Sequence, residues 1–188
     1  MPAPDISTAP LVDCGETKAG NLLDYDINRV VSKWMRENST RKWRNFCQSE
    51  TDWKEWAECE LEVEFRNVFG FSESLRGFDD VYTSKKFPTL VLPQTAEQKG
   101  MVIELRCENA LGQMGAKLKD VASSSAYTRP NITDKYSDYV FVVLVLAFTD
   151  EADRILKKVG MKLIPDAEVP VATPNTMKMY REDFVVSG

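Results

Sequence analysis

A glutamate and an arginine stand two residues apart in a segment whose other residues are typical of a buried β-strand. The segment reads KGMVIELRCEN over residues 99–109 and carries Glu104 and Arg106. Side chains alternate across a strand, so both groups are expected on one face, while Ile103 and Leu105 point to the other. A carboxylate can bind a hard cation such as Mg²⁺, and a guanidinium can hold a phosphate through two parallel hydrogen bonds. The pair is therefore predicted to form either a phosphate-directed site or a structural ion pair.

The composition excludes several other chemistries. Histidine is absent from the 188 residues, which excludes Ser-His-Asp and Cys-His catalysis as well as histidine-ligated zinc or haem. The cysteines form no Cys-x-x-Cys pair, so we expect reduced thiols rather than disulfides or a zinc site. They are Cys14, Cys47, Cys59 and Cys107. A net charge of −5 provides no general attraction for nucleic acid, so such a contact would need a local basic patch.

The proportions of residue types are those of a globular domain, with 43% hydrophobic and 28% charged residues. Residues 1–20 contain three prolines and show no periodic spacing of apolar residues. They predict a flexible leader before a single domain over 21–188. There is no basic stretch followed by an apolar run at the start, so no signal peptide is expected. The longest apolar run, YVFVVLVLAF, is about half of what a membrane-spanning helix needs. We expect an intracellular protein, cytoplasmic or nuclear, with no membrane partner.

Two helices are predicted before the strands. Apolar residues at helical spacing indicate the first within residues 21–38, and the second is expected over about 51–69, ending at Gly70. One side of the second helix is predicted to mix apolar residues with two acids, although an exposed helix edge with solvated glutamates is an alternative. The residues on that side are Trp53, Trp56, Ala57, Glu60, Val63 and Glu64.

Strands are predicted over residues 78–84, 88–93 and 100–107, and the last two are expected to pair as an antiparallel hairpin. With Leu92 opposite Met101, the register would place Thr89 opposite Glu104 on the same side, and the two-acid helix could pack there.

The rest of the chain completes an α/β (α+β) fold, a mixed β-sheet flanked by helices. A helix is predicted in AKLKDVASSSAY, after Gly115, and a buried central strand over residues 138–148. Asp150 is expected to cap a helix that ends before Gly160. Two short strands, near residues 161–164 and 177–184, would finish the sheet.

The segments VIELRCEN and TLVLP resemble the core strands of the PD-(D/E)XK nuclease superfamily, in which an Asp is followed by Glu-x-Lys. The order of KLKDV, YVFVVLVLAFTDEA and YREDF is similar to that of intracellular fungal-type members, and the resemblance spans about residues 50–185. It implies a restriction-endonuclease-like core and a metal-dependent nuclease site. In such a site Mg²⁺ lowers the pKa of the attacking water and neutralises charge at the phosphorus.

Carried onto this chain, the resemblance implies that Glu104, Thr89 and Glu60 (in preference to Glu64) hold Mg²⁺. Arg106 would hold the scissile phosphate. Further nucleic-acid contacts are predicted for Lys85, Lys86 and Lys117. The alternative interpretation, which the composition favours, is that these lysines belong to an ordinary solvated surface.

Two positions depart from the pattern. Thr89 stands where the family has Asp, and Arg106 stands where it has Lys, so a charge is lost and the remaining cation cannot act as a base. Asp79 or Asp80 could replace the missing Asp, and Lys86 the missing Lys. We therefore expect phosphodiester cleavage that is weakened or lost. The alternatives are a non-catalytic module that binds nucleic acid or a protein, or a scaffold reused for a small ligand.

Overall fold

The architecture is known from a computed structural model. It describes residues 23–38, 42–43, 54–84, 88–108, 128–172 and 175–186. The predicted leader and the predicted helix after Gly115 lie outside these residues.

Within the described part of the chain, five strands form one mixed sheet in the spatial order β1-β2-β3-β5-β4. The strands are β1 (Leu90–Leu92), β2 (Met101–Cys107), β3 (Val140–Ala147), β4 (Lys162–Ala172) and β5 (Asn175–Val185). Strands β2 and β3 run parallel, and the other neighbouring pairs are antiparallel. All eight residues of β3 are buried, which confirms the central strand expected from the most apolar segment. The mixed sheet with flanking helices confirms the predicted fold class.

The described residues include three α-helices: α1 (Ile27–Glu37), α2 (Lys54–Phe69) and α3 (Asp150–Lys158). Gly70 ends α2 with φ of 76°, a left-handed conformation that glycine adopts without steric cost. The cap of α3 is Thr149 rather than the predicted Asp150, because the Thr149 hydroxyl accepts the N–H of Ala152. No helix among the described ranges has the length and hydropathy of a membrane-spanning segment.

The predicted apolar side of α2 is confirmed only in part: Ala57 is buried and Trp56 packs against the core, but the exposed Val63 does not belong to the buried side, and Trp53 lies outside the described residues. The helix buries Ala57, Leu61 and Phe65, which follow one another at spacings of four, whereas Val63 is 53% exposed. Residues four apart lie above one another on a helix, so this row forms the centre of the core-facing side, and Trp56, Val68 and Phe69 pack against the same cluster. Glu60 and Glu64 lie beside the buried row rather than within it.

The predicted strand over 78–84 is also wrong. Only an isolated bridge forms there, between Tyr82 and Ile132. The Asp80 carboxylate accepts hydrogen bonds from Lys135 and Tyr136, which tie this segment to the chain before β3 instead of to a sheet edge. The two final strands, predicted to be short, are 11 residues each.

The sheet has two buried faces, here called the α1 face and the α3 face. Ile103, Leu105 and Leu144 lie on the α1 face, in one apolar cluster with residues of α1 and α2. Val102 and Val143 lie on the α3 face, whose cluster includes residues of the 81–82 segment and α3. Because side chains alternate along β2, Glu104 belongs to the α3 face with Val102.

Candidate functional site

The hairpin that carries the candidate site has the predicted register. Leu92 pairs with Met101 and Leu90 with Ile103, in antiparallel orientation. The N–H of Thr89 donates to the carbonyl oxygen of Ile103 at 3.0 Å, so the chain is still alongside β2 at the position next to Glu104.

The Glu104 carboxylate is buried and bonded on both oxygens. Oε1 accepts the Tyr82 hydroxyl, and Oε2 accepts Arg106 Nη2 at 3.0 Å. The side chain of Glu104 is 6% exposed and that of Arg106 is 43% exposed. A buried carboxylate is costly without partners, and these two donors offset that cost. The result is a shielded acid with a half-exposed guanidinium beside it.

Thr89 is bound toward α2 instead of toward Glu104. Its hydroxyl oxygen accepts the N–H of Leu105 at 3.0 Å and donates to Glu58 Oε1 at 3.2 Å. In a regular antiparallel pair, the N–H of Leu105 would donate to a backbone carbonyl of the neighbouring strand. Here the Thr89 hydroxyl is the acceptor instead. Glu58 also forms an ion pair with Lys54 at 2.7 Å.

The acid of α2 that contacts this hairpin is Glu58, which is not among the acids predicted for the site. Successive residues of an α-helix are rotated by about 100°, so Glu60 lies about 200° around α2 from Glu58. On that other flank, Glu64 contacts Lys33 of α1 at 3.4 Å. Helix α2 packs on the α1 face, and the structure does not bring Glu60 to Glu104. The spacing of Lys54 and Glu58 at i and i+4 was a signal of a paired acid on this flank.

The predicted basic contacts Lys85, Lys86 and Lys117 lie outside the described residues. Asp80, considered as a replacement acid, is engaged elsewhere: its carboxylate accepts Lys135 Nζ at 2.7 Å and the Tyr136 hydroxyl at 2.8 Å. The hydrogen bonds from Lys135 and then Tyr136 hold the pKa of Asp80 below its ordinary value. This carboxylate is therefore ionised within a cluster of its own.

The described residues contain no group of three or more His, Cys, Asp or Glu side chains arranged to hold a metal ion. At Glu104, a cation would compete with the hydrogen bonds from Tyr82 and Arg106. Its approach would also meet the positive charge of the guanidinium, 3.0 Å from the carboxylate. The geometry accordingly favours charge pairing at Glu104, and the predicted role of Mg²⁺ remains a prediction.

Tyr82 was missed as a partner of this site. It comes 22 residues before Glu104, and no local spacing links the two positions. Comparison of the chain with protein-family models, with curated proteins and with solved structures finds no match in any of the three.

Proposed function

We propose that this chain is a PD-(D/E)XK nuclease-like protein that binds nucleic acid without cleaving it, with Arg106 contacting a phosphate. The observation that carries the proposal is that the carboxylate of the site is engaged within the protein while its guanidinium is accessible to a ligand. Both oxygens of the Glu104 carboxylate are bonded to protein donors, while the Arg106 side chain remains 43% exposed.

The chemistry of the two substituted positions supports binding over cleavage. Magnesium-dependent hydrolysis relies on carboxylates that hold the ion next to the scissile phosphate. Here Thr89 is a neutral group bonded to Glu58, and Glu104 is paired with a permanent cation. Arginine carries five N–H donors in a planar fork, and the bond to Glu104 passes through Nη2 alone. The other donors of the guanidinium can therefore serve a phosphate.

The order of elements supports a restriction-endonuclease-like core. An acid-bearing helix, α2, precedes the β1–β2 hairpin, and the next strand, β3, runs parallel to β2. This is the arrangement that the resemblance of VIELRCEN and TLVLP implies.

Binding of labelled oligonucleotides, followed by fluorescence anisotropy over a range of salt concentrations, tests the proposal. Single- and double-stranded DNA and RNA serve as probes. We expect Arg106→Gln to weaken binding and to reduce the slope of log K against log salt by about one, since one phosphate contact is lost. Arg129→Gln is the matched control, because Arg129 is an exposed arginine on another segment. Equal affinities for the two variants would exclude Arg106 as a phosphate contact.

A nuclease assay on the same probes with Mg²⁺ or Mn²⁺ tests the absence of cleavage. We expect no metal-dependent product from the natural chain. Cleavage that disappears in Glu104→Ala would instead show an active nuclease that uses this glutamate. Cleavage that persists undiminished in that variant would remove Glu104 from the assignment.

A further inference from the structure

A second candidate site lies on the other face of the sheet from Glu104. A cavity of about 390 Å³ is bounded by the first turn of α1, the start of β4 and the end of β5. Its polar lining includes Asn28, Lys162, Arg181 and Asp183. Arg181 pairs in register with Leu144, which belongs to the α1 face, so its side chain lies on that face. A volume of this size falls within the range of about 300–1,000 Å³ that is typical of small-molecule sites.

Arg181 is held rigidly in the cavity wall. Its Nε and Nη2 donate to the two carboxylate oxygens of Asp183 at 2.6 and 2.7 Å, and Nη1 donates to Asn28 Oδ1 at 2.9 Å. The side chain is 18% exposed. A guanidinium has five N–H bonds, so these contacts leave two donors available in a fixed orientation.

The side-chain acceptors that face the cavity already receive hydrogen bonds from protein donors. Both oxygens of Asp183 and the amide oxygen of Asn28 accept from Arg181, and the carbonyl oxygen of Pro165 accepts the Ser32 hydroxyl at 2.7 Å. Glu182 also lines the cavity, but it lies opposite Val143, whose side chain packs on the α3 face. The carboxylate of Glu182 is thus directed away from this face of the sheet.

The donors that remain include a second cation. Lys162 lies directly opposite Arg181 in the β4–β5 pairing, so both side chains project from the same face. No acidic group among the described residues forms an ion pair with Lys162. Like charges opposite each other on neighbouring strands repel. An anion bound between the two cations would replace this repulsion with two attractive interactions. On this face the lining thus combines available donors, two cations against the single carboxylate of Asp183, and acceptors that are already hydrogen-bonded within the protein.

We propose that this cavity binds the phosphate or carboxylate group of a small molecule, between Lys162 and the outer edge of Arg181. Asp183 and Asn28 position the guanidinium, and the ammonium supplies the second charge. The site is separate from Arg106 and does not depend on nucleic-acid binding there.

Isothermal titration calorimetry of the full chain tests the proposal, with inorganic phosphate, adenosine 5′-monophosphate and citrate as separate probes. We expect saturable binding of at least one probe, and roughly tenfold weaker binding in Lys162→Gln, because a charge-assisted hydrogen bond is lost. Lys158→Gln is the control, since Lys158 is an exposed lysine at the end of α3. Binding of the phosphate probes alone or of citrate alone would identify which anionic group the cavity takes. No saturable binding, or equal weakening by the two variants, would overturn the proposal.

Asn28→Asp provides an independent variant. Its carboxylate can still accept from Arg181, and an acid in the first turn of a helix is favourable, so the fold should be retained. The added negative charge should abolish anion binding. Oligonucleotide affinity should be the same in Lys162→Gln as in the natural chain, which separates this site from the one at Arg106. Anion binding that survives Asn28→Asp would exclude this cavity.

Discussion

At the scale of single residues, a buried strand can accommodate Glu104 because neighbouring side chains donate hydrogen bonds to its carboxylate. Tyr82 and Arg106 each donate to one carboxylate oxygen, and the side chain is 6% exposed. Thr89, directly before β1, also has its hydrogen-bonding capacity met, by a different set of partners. The hydroxyl both accepts from Leu105 and donates to Glu58, so the side-chain polar group of Thr89 is paired as a donor and as an acceptor.

The Glu104–Arg106 pair should show coupling in a double-mutant cycle. We expect Arg106→Gln to lower the free energy of unfolding by about 1–2 kcal/mol, because the buried carboxylate loses its charged partner while that partner is itself half-exposed. Adding Glu104→Gln should recover part of this loss. Urea unfolding of the two single variants and the double variant measures the coupling, with Arg129→Gln as the charge-matched control. Strictly additive losses would show that the pair contributes no coupling.

At the scale of elements, α2 uses its acids to hold the chain that follows it. Glu62 is buried and accepts hydrogen bonds from the Ser74 hydroxyl at 2.7 Å, the Leu75 N–H at 2.9 Å and Arg76 Nε at 2.5 Å. Leu75 in turn accepts the N–H of Val91, so the segment after Gly70 covers the edge of β1. Burial acts to raise the pKa of Glu62, but the hydrogen bonds from Ser74, Leu75 and Arg76 outweigh it, and the pKa is lowered.

This lowered pKa predicts how stability depends on pH. A carboxylate whose pKa is lowered by folding stabilises the protein when the pH is above the pKa of the unfolded chain, about 4.3 for Glu. This contribution is lost as the pH falls from that value through the lower pKa of the folded state. We expect Glu62→Gln to lower the free energy of unfolding by about 1–3 kcal/mol at neutral pH. The difference from the natural chain should shrink near pH 3. Urea unfolding at both pH values measures it, with Glu60→Gln on the same helix as the control. A difference that is independent of pH would contradict ionised Glu62 as the cause.

At the scale of the whole molecule, Glu108 joins the end of β2 to the start of α3. It is 1% exposed. Its Oε2 accepts the N–H groups of Phe148 at 2.7 Å and Thr149 at 3.1 Å, and its Oε1 accepts the Thr149 hydroxyl at 2.5 Å. The contact spans 41 positions of the chain and links the parallel strands at one end of the sheet.

Removing this carboxylate should weaken the fold as a whole. Glu108→Ala leaves the buried N–H of Phe148 and the partly buried N–H of Thr149 without their acceptor. We expect a loss of about 2–4 kcal/mol in the free energy of unfolding. Hydrogen exchange should accelerate most at these two amides. Glu73→Ala, at an exposed acid, is the control and should stay within about 0.5 kcal/mol of the natural chain. A Glu108→Ala variant as stable as this control would contradict the role of the contact.

Much of this fold could be predicted from local patterns. Alternation and apolar runs identified β2, β3 and the β1–β2 register, and helical spacing identified α1 and α3. These patterns succeed because each element must bury its own apolar side. The segment around Tyr82 is not a strand, because hydrogen bonds between Thr83 or Asp80 and the 128–136 stretch, at separations of 47 to 56 positions, hold it outside the sheet.

The sequence by itself determined which side chains of one strand share a face, so Glu104 and Arg106 could be placed together. Only the tertiary structure decided which face of the sheet α2 covers, and hence that Glu58 rather than Glu60 meets Thr89. It also decided that Tyr82 meets Glu104. The physical reason is that periodicity sets orientation within an element, whereas the packing of elements depends on the joint burial of distant apolar surfaces.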